Sequence, residues 1–376
     1  METNPNKRKR NVADENAEEE THNNKKKIVE LDNEKNDDLL QDKESVEDKN
    51  KTSTSEPVQF AEIVAAHYNS LESHKDYKRK FSKIYYLRNF NNFIKSILIK
   101  DSVMSILDGK QYLNVLDMCC GKGGDIIKWI KTNARYLICA DIAERSLELC
   151  KERLEHLTKV RLCTLYKDPS IKFDVVSSQF SFHYSFESLP QVECMLQNAS
   201  ERLKPGGIFI GTIPNSNEIV KRLRMAKTNS FGNDLYSLEM CSSEPYPLFG
   251  AKYNFYLEGV LNCPEFLVYF PLLEKLAAKF GLILLQRKRF DDMFEEKRND
   301  SEAKLLLRKI NALEGYPPRE NERLYRPEED YKIAKTYWEQ HGSKLRERGI
   351  RITTISQSEW EVITLYELFI FQKKKT

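Results

Sequence analysis

The chain has 376 residues, 40% of them hydrophobic and 11% aromatic, with 60 Lys/Arg against 57 Asp/Glu, enough apolar material for one large core or two modest ones. No apolar run approaches the roughly 18 residues of a membrane span and the N-terminus is charged, which excludes a spanning or signal-directed reading and predicts a soluble chain in a reducing compartment. Eight cysteines between Cys119 and Cys263, with no CxxC pair and no histidine at ligand spacing, give neither a zinc nor a disulfide framework, so no metal is expected.

Residues 1–57 hold 11 Lys/Arg, 16 Asp/Glu and almost no aromatics. Such a segment cannot bury enough apolar surface to offset chain entropy, and it is expected to be disordered. Within it KRKR (Lys7 to Arg10) and Lys25-Lys26-Lys27, separated by an acidic stretch ending at Glu20, read either as nuclear-import signals or as parts of a solvated polyampholyte. Taking the tail from the chain totals of 60 and 57 leaves 49 Lys/Arg against 41 Asp/Glu. The ordered part, 58–376, therefore carries +8 and suits a polyanionic partner.

Helical apolar spacing over FAEIVAAHYNSL and again over IYYLRNFNNFIKSILIK predicts two helices ahead of the main fold. Asn91 and Asn92 lie among the aromatics of the second, where exposed helix amides are the bland alternative to a role. Then strands YLNVLDM, RYLICADI, KVRLCTLY, FDVVSSQF and GIFIGTIP alternate with helices GDIIKWIKT, SLELCKERLEHL and CMLQNASERL. That βαβα order predicts an α/β fold with a mostly parallel sheet covered on both faces, whose ligands bind at the carboxyl ends of the strands. Only KDPSIK separates the third and fourth of these strands, too short for the usual crossover helix.

After the first strand stands CCGKGGD, whose glycines permit a tight turn and close approach of a ligand to the following helix N-terminus. After the second stands Asp141, able to accept both hydroxyls of a ribose. Together they predict an adenosine-containing cofactor. The loop lacks a GxGxxG fingerprint, which argues against NAD and leaves S-adenosylmethionine. Further along, residues 218–262, rich in aromatic and turn residues, read as an insertion over the substrate face. PEFLVYFPLLEKLAAKFG reads as a helix ending at Gly281, LILLQRKRF as a strand, DDMFEEKRNDSEAKLLLRKINAL as one charged amphipathic helix, and WEVITLYELFIFQ as a last strand returning Tyr366 to the site.

From RNFNN through LDMCCGKGGDIIKW, DIAERS, SQFSFHYSFES, LKPGGIFIGTIPNS, PLFGAKYNFYLEG and PEFLVYFPLL to SEWEVITLY, the chain resembles the eukaryotic mRNA cap guanine-N7 methyltransferases, over about residues 60–372. The resemblance implies a class I (Rossmann-like) S-adenosylmethionine-dependent methyltransferase with a seven-stranded-type sheet, N-terminal helices and a substrate-side insertion. It implies a nuclear enzyme that methylates 5′-capped RNA, with other capping enzymes, RNA polymerase II or an activating subunit as partners, and no membrane. Guanine N7 has an in-plane lone pair and no proton, so in-line attack needs no general base and no catalytic residue of that kind is assigned; positioning carries the rate.

By the same resemblance, cofactor contacts fall on Asn92, Lys95, Cys119, Gly121, Asp141, Gln179 and Tyr184, with Asp168 as the adenine contact in the shortened segment. Lys95 is expected to meet the cofactor's carboxylate. Cap contacts fall on Asn91, Lys122, Lys128, Arg153, His183, Glu265 and Tyr366. Of these, the cationic residues suit the triphosphate, His183, together with Tyr184, suits stacking on a purine, and Glu265 suits the N1 and N2 donors of guanine. Without the resemblance, Lys128 reads as a solvated helix lysine and Glu265 as a cap for a helix starting near Pro264. The family has glycine at position 119, so Cys119 costs roughly 1–2 kcal/mol if that residue takes a positive φ; Cys120, the family's own cysteine, packs under the loop. A methyltransferase for another RNA or a small molecule, and a cap-binding scaffold with weakened catalysis, are the competing readings.

Overall fold

The computed structural model describes residues 60–70, 80–109, 111–157 and 170–375. The tail with its basic clusters, the strand expected over 159–166 and Asp168 lie outside the described residues. In chain order, helices α1 (Phe60–Ser70) and α2 (Tyr85–Ile106) precede β1 (Leu113–Met118), α3 (Ile126–Lys131), β2 (Ala134–Ala140) and α4 (Glu144–His156). Then come β3 (Phe173–Gln179), a 3₁₀ turn (Phe182–Glu187), α5 (Leu189–Ser200), β4 (Leu203–Pro214) and α6 (Ser216–Ala226). Strands β5 (Ser230–Gly232), β6 (Tyr236–Met240), β7 (Lys252–Leu257) and β8 (Leu261–Phe266) follow, then α7 (Phe270–Lys279), β9 (Leu282–Arg289), α8 (Phe290–Lys297) and α9 (Ser301–Lys309). The described chain closes with β10 (Glu314–Tyr316), α10 (Lys332–Glu347), β11 (Ile352–Thr354), α11 (Gln357–Ile363) and β12 (Tyr366–Lys373).

The central sheet has the order β2-β1-β3-β4-β12-β9 among the described residues. Its first four strands run parallel, and β12 lies antiparallel to both β4 and β9, the mostly parallel α/β sheet expected. Strand β3 is buried almost along its whole length, as a central parallel strand covered on both faces must be. Adjacent Val175 and Val176 belong to two different hydrophobic clusters, because side chains alternate across a strand. One cluster holds Phe90, Phe93 and Ile94 of α2 with Trp129 of α3; the other holds Phe182, Phe186, Leu196 and Phe369. The carboxyl ends of β1, β2 and β3 thus open side by side onto the loop 119–125, Asp141 and Gln179.

Three expectations for the C-terminal half are corrected. Pro264 to Phe266 end strand β8, and the helix begins only at Phe270. Strand β8 is an edge of the sheet β5-β6-β7-β8, where a proline lacking N–H is tolerated, and the period of two turns Leu261, Cys263 and Glu265 inward together. The expected single helix over 291–313 is two: Asp300 accepts from Ala303 N at 2.8 Å and starts α9 anew, the capping geometry that short polar residues favour. Finally, WEVI belongs to helix α11, capped by Ser356, and the last strand starts at Tyr366.

Candidate active site

The loop between β1 and α3 is tied down before any ligand is considered. Cys120 N donates to Ala140 O at 3.0 Å. Asp141 at the end of β2 accepts from Gly121 N at 2.7 Å and from Ala143 N at 2.9 Å. Gly123 has φ 70°, a left-handed conformation that favours glycine, and a Cβ there would lie 2.3 Å from Ile126 Cδ1, so the isoleucine would have to shift to admit a side chain. Cys119 has φ 55°, a left-handed conformation that disfavours any side chain. Burial pushes its thiol up to about 11, so it is no nucleophile at neutral pH. Replacing Cys119 by glycine should relieve about 1–2 kcal/mol of strain against about 0.5–1 kcal/mol of added unfolded-state entropy. Denaturant unfolding of the variant is expected to show unchanged or higher stability; a clear loss would show that the thiol contributes contacts outweighing its backbone.

The loop forms one side of a cavity of about 500 Å³. Of the expected cofactor residues, Cys119, Gly121, Asp141, Gln179 and Tyr184 line it; Asn92 and Lys95 do not. Two expected cap residues, Lys122 and Arg153, line this same cavity. Gln179 is oriented by Ser177 Oγ, to which its amide donates at 3.0 Å, and by Thr212 Oγ1, which donates to it at 3.2 Å. Helix α1 roofs the space with Phe60, Ala61, Val64 and Tyr68, and Tyr68 Oη lies 3.5 Å from Tyr184 Oη.

Behind the loop lies a charged cluster in which the decisive residue is the last of CCGKGGD. Asp125 accepts from Lys95 Nζ at 2.8 Å and from Lys128 Nζ at 2.6 Å, and Lys128 also donates to Asn92 Oδ1 at 3.0 Å. Lys128 is therefore not a solvated helix lysine. Burial alone would raise the Asp125 carboxyl, but the two ammonium groups outweigh it and bring it down to about 2. Burial, partly offset by Asp125, brings the Lys128 ammonium down to about 8. Asp117 goes the other way: burial and then the Asp125 charge push its carboxyl up to about 8. Asn91 Oδ1 is buried and has no hydrogen-bond partner among the described residues.

The remaining expected cap residues gather beyond Tyr184. His183 and Glu265 are both buried, with Nε2 and Oε1 3.2 Å apart, and Tyr253 Oη donates to Glu265 Oε2 at 2.7 Å. The His183 and Tyr184 rings are 4.3 Å apart between centroids. Tyr366, which antiparallel pairing with β4 sets opposite Pro214, meets the edge of Phe180 at 4.9 Å, and the same Phe180 ring lies 5.9 Å from Lys95 Nζ. Phe180 has φ 57°, an outlying conformation for a bulky residue and of the kind that concentrates at functional sites. Sequence reasoning missed Asp125, Phe180, Tyr253 and the α1 roof. Asp125 had a signal, since an acid closing a lysine-bearing glycine loop has nearby cations to hold; Phe180 and Tyr253 had none, because only tertiary pairing brings them in.

A sequence profile of the mRNA (guanine-N(7))-methyltransferase domain matches residues 50–374. The mRNA cap guanine-N(7) methyltransferase of Drosophila melanogaster is 45% identical over 341 residues, covering 83% of this chain and 77% of that protein. That of Caenorhabditis elegans is 36% identical, covering 83% and 87%, and mRNA cap guanine-N(7) methyltransferase 1 of Oryza sativa is 33% identical, covering 85% and 83%. A match of this extent, running from ahead of the α1 roof to the closing strand β12, makes the chain a member of the mRNA cap guanine-N7 methyltransferase family.

Proposed function

We propose that the chain transfers a methyl group from S-adenosylmethionine to N7 of the guanine that caps messenger RNA. The observation that carries this reading is an adjacency: Tyr184 lines the cavity beside the glycine loop, and its neighbour His183 lies 3.2 Å from the buried Glu265. A donor in the cavity and a purine held by Glu265 would meet across residues 180–184. The cavity fits the cofactor in size and lining, with Asp141 for ribose hydroxyls and Gln179 and Tyr184 as polar partners. S-adenosylmethionine supplies a methyl on a positively charged sulfur. The chain's own residues have the task of holding N7 in line with it, since N7 offers a lone pair and no proton has to be removed; such positioning is worth on the order of 7–11 kcal/mol.

In this reading Glu265 accepts from guanine N1 and N2, His183 and Tyr366 flank the ring, and Lys95 and Lys128, with Asn91 and Asn92 nearby, present cationic and amide groups to carboxylate and phosphate. Lys122 and Arg153 extend the cationic lining toward the triphosphate, and Asp168 completes the adenine end. Residues 58–376 form the catalytic domain, with 218–262 as its substrate-side insertion. The basic clusters of the tail direct the protein to the nucleus, where RNA polymerase II, other capping enzymes or an activating subunit would meet it. Incubation with tritiated S-adenosylmethionine and RNA ending in GpppN, in triphosphate or in an already methylated cap separates the alternatives. Label is expected on GpppN-RNA alone. Label on all three or on an internal base would indicate another substrate, and cap binding without any label would indicate a scaffold.

A further inference from the structure

The fold brings together three cysteines that sequence spacing keeps apart. Cys120 lies in the loop after β1, Cys139 near the end of β2 and Cys150 on α4, and their Sγ atoms all lie within 4.8 Å of one another. The parallel register sets Cys139 beside Asp117, the Cys120 N to Ala140 O bond folds the loop onto the strand end, and α4 returns over both with Cys150 buried. All three are free thiols. Among the described residues no fourth His, Cys, Asp or Glu atom joins them.

An all-sulfur set selects soft, thiophilic ions, and a set of three suits one that is three-coordinate, since zinc in a closed site takes four ligands. Charge narrows the choice further. The sulfurs sit against the apolar core with the buried Asp117 beside Cys139 and the Arg153 cation acting on Cys150; that cation offsets at most one surplus negative charge, and any beyond it is expensive there. A cuprous ion on three thiolates would carry two surplus negative charges; trivalent arsenic on three thiolates is neutral.

We propose that Cys120, Cys139 and Cys150 form a binding site for a three-coordinate thiophilic metalloid, trivalent arsenic, held as a neutral tris-thiolate behind the cofactor loop. Arsenous acid exchanges three As–O bonds for three As–S bonds, each thiol proton leaves with a hydroxide as water, and arsenic remains trivalent, so no oxidant or reductant is needed. Cys120 also lines the cofactor cavity, between Cys119 and Gly121.

The test uses the reduced full-length protein titrated with arsenite. One arsenic per chain after desalting is expected, with three As–S paths in X-ray absorption. Cys139→Ala and Cys150→Ala should each lower arsenic affinity by at least about tenfold, the loss of one of three soft donors. Cys119→Ala should change it by no more than about twofold, as expected for a residue outside the donor set. Urea unfolding of each arsenic-free variant establishes that it is folded before its affinity is compared. No retained arsenic, two As–S paths, or a loss in Cys119→Ala without a loss in folded Cys139→Ala, which would assign binding to the adjacent doublet, would each overturn the proposal.

Discussion

Replacing Asp125 by alanine is expected to lower kcat/KM for capped RNA by about 10² or more and to destabilise the fold by about 3–5 kcal/mol, the usual result of removing one partner from a buried ion pair. The side chains of Asp125, Lys95 and Lys128 are 8%, 13% and 14% exposed, so water cannot replace the lost carboxylate. Two ammonium groups would then face each other without a counterion, and Lys128, already brought down to about 8 by burial, would give up its proton first. The sign of the pH dependence follows from the depressed carboxyl. Its stabilisation is present above the unfolded value of about 3.8 and is lost as pH falls through about 2. The wild-type protein should therefore keep this contribution well into acid, whereas the variant lacks it at every pH. Urea unfolding from pH 2 to 7, with steady-state kinetics at neutral pH, measures both effects; Asp125→Asn retains the shape and isolates the charge. A fully stable and active alanine variant would show that the two lysines need no common anchor.

Glu265→Gln should separate guanine recognition from cofactor binding. The substitution keeps volume and burial but replaces an acceptor-only group with one that also donates. The amide keeps one oxygen to accept from Tyr253 Oη, which lies 2.7 Å from the carboxylate, but presents an N–H where the N1 and N2 donors of the proposed guanine need an acceptor, setting donor against donor there. Sites built to hydrogen-bond a substrate reject a mismatched partner by up to about 10⁴–10⁵, so a fall in kcat/KM of at least about 10³ is expected. Affinity for S-adenosylmethionine, read by calorimetry, should stay within about twofold, because Glu265 is outside the cofactor cavity lining. Stability should be unchanged or higher, since a buried carboxylate is removed without creating a cavity. Equal losses in cofactor affinity and turnover would remove Glu265 from guanine recognition.

What the sequence made legible divides along a physical line. The strands of the parallel sheet, the glycine loop and Asp141 were readable because each is specified locally, by short Val-, Ile- and Leu-bearing segments alternating with amphipathic helices or by the residues a turn demands. The edge strand β8 was not. Its apolar residues run on into helix α7, and a short apolar run leaves strand and helix undistinguished until pairing with β7 decides. The site followed the same rule. Several residues expected there, Gly121, Asp141 and Gln179 among them, line the cavity, while Asp125 was passed over and Tyr253, Phe180 and the three-thiol cluster depended on which elements meet. The exclusion of metal frameworks from cysteine spacing, sound for contiguous motifs, has no purchase on sulfurs supplied by a loop, a strand and a helix.

Strand β12 has a bearing on how the enzyme comes into being. It is the latest of the described strands to leave the ribosome, yet it is wedged between β4 and β9 and sets Tyr366 opposite Pro214. Until β12 has been synthesised, β9 lacks the described strand it pairs with, and Tyr366 is missing from the buried group around Glu265. A nascent chain that has reached β9 but not β12 holds the glycine loop and the described cavity lining without that side chain, so the seat proposed for guanine is the last part of the site to be completed in chain order.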